Sequence, residues 1–291
     1  MFVILGATGK IGRATAGALR QRGAEVRAIV RRPDTAGDLA ALGCSLSFAD
    51  IDDHRALLAA FDGAEAVQVI CPTSPQAEDA AAEMDRRIAA VAGALAETRP
   101  ARVLAISDYG AQHAAGTGIA LTYHRLEQAL RPLDAALVFL RSAEHMQNWR
   151  RLARRAVATG VLPSLHHPVS KAFPTVSAPD VGLIAAELLL AGDTRPLSVV
   201  HAEGPRRYSA EDVARTLSGL AGRAIAAAAL PEDQWLPALT GGGLSASYAG
   251  LAAAMYAAHN AGRIEVESEA GETRRGATPL RDVLAAILAG G

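Results

Sequence analysis

The first dozen residues constrain this chain more than any other stretch. The apolar run from Phe2 to Leu5 leads directly into Gly6-Ala7-Thr8-Gly9-Lys10-Ile11-Gly12, and a helical pattern follows at once. This order predicts a buried strand, a tight turn and a helix: Gly6 permits the turn, Gly9 lets backbone approach a phosphate, and Gly12 allows close packing. The start of a helix offers unpaired N–H groups and a partial positive charge. We therefore expect residues 6–12 to bind the pyrophosphate of a dinucleotide, although a glycine triplet alone also marks ordinary turns.

A regular alternation of apolar runs and helical patterns follows this turn. Helices separate predicted strands over residues 2–5, 25–30, 45–48, 64–70, 101–106 and 135–140. This rhythm is typical of an α/β fold with a doubly wound parallel sheet, the Rossmann fold. Beyond residue 141 the pattern loosens to a helix over 143–159, a short strand over 173–176, a helix over 178–190 and a strand over 197–201. The second half therefore predicts a smaller C-terminal α+β lobe.

Two arginines at the end of the second predicted strand indicate which dinucleotide binds. In doubly wound folds this strand end lies beside the adenosine ribose, where an acidic side chain would bond the 2′-hydroxyl of NAD. This chain has Arg31 and Arg32 there, and no carboxylate before Asp34. A guanidinium matches phosphate oxygens bidentately, so we predict NADP (NADPH) rather than NAD. The alternative is a pair of solvated surface arginines.

Residues at the other strand ends are further candidates for cofactor contacts, because ligands bind beyond the carboxyl ends of such strands. Asp50 is expected to accept a hydrogen bond from the adenine amino group, or alternatively to begin the next helix with its neighbouring acids. Cys71-Pro72-Thr73 follows the fourth strand. Ser107 follows the fifth and is either a contact for the nicotinamide half or a cap of the next turn. His145 and Asn148 follow the sixth strand and are expected to face the cleft.

The catalytic tyrosine–lysine pair that is typical of carbonyl reductases is incomplete in this chain. Reductases that protonate a carbonyl often pair a tyrosine with a lysine four residues later, which lowers the pKa of the phenol. Here Tyr123 is followed four residues later by Glu127, which is expected to raise that pKa. Tyr123 remains the candidate catalytic residue, as a hydrogen-bond donor, with His124 as a proton relay. The alternative is that both are ordinary helix residues.

Composition narrows the classes of partner. The chain has 291 residues, a net charge of −1 and a pI near 6.7, which argues against nucleic acid or an acidic membrane surface as partner. No run approaches the roughly 20 apolar residues of a membrane-spanning helix. Two cysteines give no disulfide framework, which fits a reducing cytosol. Adjacent His166 and His167 are poorly placed to chelate one ion, so we predict no metal and a cytoplasmic protein.

The chain resembles the NmrA-like branch of the atypical short-chain dehydrogenase/reductases. The resemblance covers nearly the whole sequence and is carried by GATGKIG, AIVRRP, LAISDYGA, HRLEQALRPLDAALVFLRSAEHMQNW, FPTVSAPDVGLIAAELL and HAEGPRRYSAEDVARTLSGLAGR. It implies a Rossmann domain, a smaller C-terminal lobe and NAD(P) binding. Many members have a lysine at the position of Tyr123, where it contacts the nicotinamide ribose, and this chain lacks it. The cofactor contacts implied by the resemblance are Gly6 to Gly12, Arg31, Arg32, Asp50, Ile51, Cys71, Pro72, Thr73, Ser107 and the segment from His145 to Asn148.

Two functions are consistent with these observations. The first is an NADPH-dependent oxidoreductase that transfers a hydride to a quinone-like or other small electrophilic acceptor, which needs no strong protein acid. The alternative is a non-catalytic NADP(H) sensor of the NmrA type that signals to a protein partner. In either case we expect an NADP-binding Rossmann domain over residues 1–142 and a substrate or partner lobe over 143–291. Whether the segments near 173–201 return to the sheet stays open.

Overall fold

Strands and helices alternate along the first half of the chain, as the sequence predicts. The computed structural model describes residues 1–267 and 271–290. Up to residue 142 the elements are β1 (Phe2–Ile4), α1 (Lys10–Gln21), β2 (Val26–Val30), α2 (Gly37–Ala41), β3 (Ser45–Phe48), α3 (His54–Phe61), β4 (Ala66–Val69), α4 (Ala80–Thr98), β5 (Arg102–Asp108), α5 (Ala120–Leu130) and β6 (Ala136–Ser142).

The second half is more varied and contributes both to the sheet and to a separate layer. Its elements are β7 (Glu144–His145), α6 (Arg150–Thr159), β8 (Val161–Ser164), β9 (Thr175–Val176), α7 (Ala178–Ala191), β10 (Leu197–Glu203), α8 (Ala210–Ala221), β11 (Ala226–Ala229), α9 (Trp235–Gly241), α10 (Ala246–Asn260), β12 (Glu272–Arg275) and α11 (Leu280–Leu288). None of the helices within the described ranges is both long and apolar enough to span a membrane.

One eight-stranded parallel sheet organises the molecule. Its strand order is β12-β10-β6-β5-β4-β1-β2-β3, and every neighbouring pair runs parallel. The chain winds outward from β1 in both directions, so the order reverses between β1 and β4. Ligands of doubly wound sheets bind at the carboxyl ends of the strands beside such a reversal. The predicted doubly wound fold is confirmed.

Helices cover both faces of the sheet. On one face α1 packs against α7, and Gly182 lets them approach closely, because a Cβ there would lie 2.7 Å from the Cβ of Ala14. On the other face α3, α4 and α5 bury Leu57, Val91 and Leu126 completely. Strands buried on both sides read as continuous apolar runs, which is why the first half of the sequence predicts them well.

The later segments divide between this sheet and a second core. α7 and β10 belong to the sheet layers, and β10 pairs with β6 from Leu197 to Ala202. A separate apolar cluster joins α6, α8 and α11 around Trp149, Leu217 and Leu284. The division into domains at residue 142 stays a prediction, and residues 268–270 and 291 of the predicted lobe lie outside the described residues.

The structure of this half departs from the sequence prediction. The predicted helix over residues 143–159 is wrong at its start, because Glu144 and His145 pair as a short strand with Thr175 and Val176 and the α-helix begins only at Arg150. The edge strand β12 was not predicted, since its residues Glu-Thr-Arg-Arg show no apolar alternation and are mostly exposed. α8 begins with a capping box, in which Ser209 and Asp212 exchange both hydrogen bonds.

Candidate functional site

The glycine turn between β1 and α1 has the geometry of a phosphate cradle. Gly6 adopts a φ of +82°, in the left-handed region that favours glycine, and its carbonyl accepts the N–H of Gly9 at 3.1 Å. A Cβ on Gly12 would overlap the carbonyl oxygen of Gly6 and lie 2.8 Å from the Cα of Ala7. Gly9 caps α1 without a side chain, so the first N–H groups of the helix are left for a ligand.

A cavity of about 510 Å³ opens beside this turn at the carboxyl ends of the strands. It extends from the ends of β2 and β3 past the turn to the segments that follow β4 and β6. Predicted cofactor residues that line it are Gly6, Thr8, Gly9, Lys10, Ile11, Arg31, Ile51, Pro72, Thr73, His145 and Asn148. Lining residues that the sequence did not single out include Ile29, Ile70, Ser74, Pro75, Arg87, Gln147 and Ala178. Another depression, of about 710 Å³, lies far from the turn beside Ala101, Arg131 and Ala135, at the opposite ends of the strands.

Six of the predicted contacts are not on the cavity wall: Cys71 and Ser107, described below, and Ala7, Gly12, Arg32 and Asp50. Ala7 is fully buried beneath the turn. The absence of a side chain at Gly12 lets α1 pack closely against the backbone of Gly6 and Ala7. Arg32 lies exposed, with its Nε 3.5 Å from Asp34. Asp50 accepts the N–H of Asp52 at 3.0 Å, whereas the cap of α3 is Asp53, whose side chain accepts the N–H of Ala56.

The charge distribution along the cavity wall favours an anion. Lys10, Arg31 and Arg87 line the wall, whereas no Asp or Glu does so among the described residues. The Thr73 hydroxyl oxygen, also on the wall, is buried and has no hydrogen-bond partner in the described part of the chain. A ligand that brings both negative charge and hydrogen-bonding groups would complement this surface.

Arg87 of α4 fixes one wall of the cavity. Its Nη1 donates to the carbonyl of Pro72 and to Glu83, both at 2.7 Å, and to Ser74 Oγ at 3.3 Å. Asp52 lies 3.4 Å from its Nε, and Glu83 accepts the N–H of Ser74 at 2.7 Å. The loop after β4 is thereby tied to α4. The helix has two adjacent arginines, Arg86 and Arg87, and the contact of Arg87 with Pro72 depends on the fold, so the sequence alone did not reveal it.

Cys71 and Ser107 lie deeper than predicted. Cys71 is fully buried, and burial raises the pKa of its thiol to about 12, so it is not a thiolate. Ser107 is also buried, and its hydroxyl donates to Glu127 at 2.6 Å. Glu127 in turn holds Arg141. Neither Cys71 nor Ser107 lines the cavity.

Tyr123 has a different neighbour from the one that the sequence predicts. Its pKa is raised, first by burial and then by the negative charge of Asp108, whereas Glu127 is occupied by Arg141 and Ser107. The inference that Glu127 raises this pKa is therefore wrong, because the acid responsible follows Ser107 at the end of β5. The proposed relay His124 contacts the carbonyl of Ala111 through Nδ1 at 2.8 Å.

The segment after β6 builds the far end of the cavity. Ser142 Oγ lies 3.1 Å from His145 Nε2, and burial lowers the pKa of His145, which keeps its imidazole neutral. The N–H of Ala178 donates to Gln147 Oε1 at 3.0 Å, which ties this segment to the start of α7. Asn148 Nδ2 reaches Glu144 at 3.5 Å.

Glu144 anchors the same segment to the C-terminal elements. It pairs with His166 at 2.9 Å and accepts a hydrogen bond from Tyr256 at 3.1 Å, and both members of the pair are buried. Burial raises the pKa of Glu144, but His166, His259 and Tyr256 outweigh it and lower the value to about 2. His167 diverges from His166 and contacts the carbonyl of Leu230 at 3.0 Å. No group of three metal-ligating side chains occurs among the described residues.

The sheet reversal, the glycine cradle and the cationic cavity together define a dinucleotide-binding protein of the Rossmann type. The chain belongs to the NAD(P)H-binding family, whose model matches residues 6–160. This assignment confirms the predicted NAD(P) cofactor class and the predicted membership of an NAD(P)-binding family.

Proteins similar to this chain include several reductases. The chain is 26% identical over 262 residues to the NAD(P)H azoreductase of Xenophilus azovorans, which covers 88% of this chain and 86% of that protein. Its fold is similar to the NADPH complex of the quinone oxidoreductase QOR2 from Escherichia coli, with a TM-score of 0.82, 22% identity and coverage of 99% and 100% of the two chains. It is similar to the NADP(H) complex of the Citrobacter sp. triphenylmethane reductase at a TM-score of 0.81, 19% identity and the same coverage.

Proposed function

We propose that this protein is an NADPH-dependent oxidoreductase that reduces a quinone-like or other small electrophilic acceptor. The observation that carries the proposal is one continuous cavity that passes the glycine cradle and has three cationic side chains but no carboxylate on its described wall. Reductase activity is supported by the 26% identical azoreductase and by the fold shared with a quinone oxidoreductase and a dye reductase.

The residues present fit the proposed cofactor. Gly6 and Gly9 on the cavity wall and the uncapped start of α1 leave space and N–H donors for a pyrophosphate. Arg31 at the end of β2 would meet the 2′-phosphate that distinguishes NADP from NAD. The orphaned hydroxyl of Thr73 would find a partner in the cofactor or the acceptor. When bound, the reduced nicotinamide supplies a hydride.

The protein's own contribution is to hold the reactants and exclude water. Arg87 fixes the loop from Pro72 to Pro75 on one side of the cavity, and Gln147 fixes the opposite side to α7. Because both walls are anchored by buried or half-buried side chains, the nicotinamide face would be presented to the acceptor in one geometry.

The experiment that tests this proposal measures NADPH oxidation by the purified protein with quinones, enones, azo compounds and aldehydes in turn. We expect acceptor-dependent oxidation with at least one quinone, and faster turnover with NADPH than with NADH. Tight NADPH binding without turnover on any acceptor would instead favour the non-catalytic sensor of the NADP(H) state and would contradict the enzyme proposal.

A further inference from the structure

The far end of the cavity lies on the nicotinamide side of the glycine turn. In the sheet order β2 stands on one side of β1, whereas β4, β5 and β6 stand on the other. Arg31 at the end of β2 marks the adenosine side, because the second strand of such folds ends beside the adenosine ribose. His145, in the segment after β6, lines the same cavity on the opposite side. A dinucleotide that extends across the turn would therefore bring its nicotinamide half towards His145.

His145 is the residue of this wall that is suited to exchange a proton. The other titratable side chains on the described wall are Lys10, Arg31 and Arg87. Lys10 begins α1 at the phosphate cradle, and Arg87 is bound to the carbonyl of Pro72. No carboxyl, phenol or thiol group belongs to the described wall. Imidazole is the side chain that ordinarily titrates nearest to neutral pH, so His145 is the candidate for acid–base work in the cavity.

The two ring nitrogens of His145 have different environments. Nε2 lies 3.1 Å from Ser142 Oγ, whose own hydrogen is donated to the carbonyl of Ala143 at 3.0 Å. Because that hydroxyl then accepts from the ring, the hydrogen of the neutral imidazole belongs on Nε2. Nδ1 has no hydrogen-bond partner among the described residues and is not one of their enclosed polar atoms. Nδ1 is therefore open to a ligand in the cavity, and it is also the atom that takes up the titrating proton.

Neighbouring strands and a helix hold this imidazole in place. His145 pairs with Val176 of β9, and the adjoining Gln147 accepts the N–H of Ala178 at the start of α7. Glu144 of β7 is the charged group that acts on His145, and its carboxylate is already bonded to the C-terminal elements. Among the described residues, no charged group from β6, β9 or α7 acts on the ring. Burial, opposed by the charge of Glu144, lowers the pKa of the imidazole, which makes its protonated form a stronger acid.

We propose that His145 is the proton donor for the reduction, an inference that rests on the proposed function. A quinone that accepts a hydride gains two electrons and one hydrogen, and it needs one further proton to become a hydroquinone. The N–H bond at Nδ1 of the imidazolium breaks as an O–H bond forms on the acceptor oxygen. The products are the hydroquinone, the oxidised nicotinamide and neutral His145, whose Nδ1 regains a proton from water.

The test compares the wild type with His145→Gln, which removes the titrating group, and with the control His54→Gln. His54 is a partly exposed residue of α3 that does not belong to the cavity wall. Menadione reduction by NADPH is measured across pH, together with NADPH affinity. For the wild type and the control, kcat/KM should fall as pH rises through a pKa below the ordinary histidine value of about 6.5, because the donor must be protonated.

The variant should lose both rate and pH dependence. His145→Gln should lower kcat/KM about 100-fold at acid pH, the low end of the usual contribution, because the reduced quinone spreads its negative charge by conjugation. The rates of variant and wild type should converge as pH rises, and NADPH affinity should be unchanged. A variant that keeps the rate and pH profile of an active wild type would overturn the donor role and leave the proposed function intact. A loss of NADPH affinity as large as the loss of rate would assign His145 to cofactor binding and would also overturn it.

A second measurement does not depend on turnover. Nitrogen-15 NMR of protein labelled at histidine reports which ring nitrogen carries a hydrogen, and comparison with His145→Gln identifies the signals of His145. The neutral ring should carry its hydrogen on Nε2 and gain a second one on Nδ1 as pH falls. A neutral ring with its hydrogen on Nδ1, or a ring that does not titrate, would overturn the inference. A wild type that turns over no acceptor would refute the proposed function itself, and the donor role with it.

Discussion

Ser107 donates a hydrogen bond of 2.6 Å to Glu127, in the buried layer between β5 and α5. Glu127 also binds Arg141 through two hydrogen bonds of 2.9 and 2.8 Å, and the ion-paired side chains are 1% and 2% exposed. Burial lowers the pKa of Arg141, but Glu127 and then Glu267 outweigh it and raise the value. The serine hydroxyl is thereby part of a structural charge network.

Breaking this network should destabilise the fold. Glu127→Gln leaves Arg141 with only the partly exposed Glu267 as a charged partner, which should lower the free energy of unfolding by about 3 kcal/mol. Urea unfolding measures the loss. The control is Asp85→Asn, whose partner Arg125 and own side chain are each about half exposed; it should cost less than about 1 kcal/mol. Similar losses in the two variants would contradict the role given to Glu127.

A side chain at the third glycine of the turn should abolish cofactor binding. In Gly12→Ala the new methyl group would overlap the Gly6 carbonyl and force the turn apart. The matched control is Gly17→Ala in the same helix, where the nearest atom is Leu42 Cδ1 at 3.9 Å and alanine should stabilise by up to about 1 kcal/mol. Calorimetric titration with NADPH should show loss of binding only for Gly12→Ala. Unchanged affinity in that variant would contradict the location of the pyrophosphate.

Arg31 should distinguish the two nicotinamide cofactors. Because it lines the cavity at the end of β2, Arg31→Ala should weaken NADPH binding about tenfold, the loss expected for one charged hydrogen bond, and leave NADH affinity unchanged. Arg32→Ala should have a smaller effect, since Arg32 lies off the wall beside Asp34. Fluorescence titrations with both cofactors measure these differences. Equal affinity of the wild type for NADPH and NADH would rule out this assignment.

His201 should make stability depend on pH. Burial, and then the charge of Arg141, lowers its pKa to about 4, against an ordinary value of about 6.5. Between these values the unfolded chain binds the additional proton, so this contribution to stability is present above pH 6.5 and is lost as pH falls towards 4. The loss should reach about 3 kcal/mol in the wild type.

His201→Phe keeps an aromatic ring beside Tyr109 and removes the titrating group. As pH falls, the wild type should therefore lose more free energy of unfolding than the variant. Urea unfolding of both proteins at a series of pH values measures this difference. Other titrating groups, including Glu144 and Asp108, are common to both proteins and cancel in this difference. A difference that stays constant across this range would show that His201 is not held neutral.

Features set by neighbouring residues were predictable from the sequence. The turn from Gly6 to Gly12 and the capping box at Ser209 each depend on a few consecutive residues. The buried parallel strands are recognisable in the sequence as apolar runs. The helix predicted from residue 143 failed because pairing of Glu144 and His145 with β9, which lies some 30 residues away, overrides local helical preference.

The parts of the site that were missed depend on long-range packing. Arg87 is one of two adjacent arginines of α4, and only the fold brings Pro72 and Asp52 to it. Asp108 stands next to the serine that the family resemblance favours, and its effect on the pKa of Tyr123 follows only from the fold. Its raised pKa further requires Glu144, 36 positions later.

Hydride transfer itself is the most direct test of the proposed enzyme. In a single turnover with excess protein, NADPH carrying deuterium at C4 on either face of the ring is mixed with menadione. The proposal predicts rapid acceptor-dependent oxidation that is slowed by deuterium on one face and not the other, because the cavity presents one face of the nicotinamide to the acceptor. Bound NADPH that remains reduced with menadione and every other acceptor would contradict it.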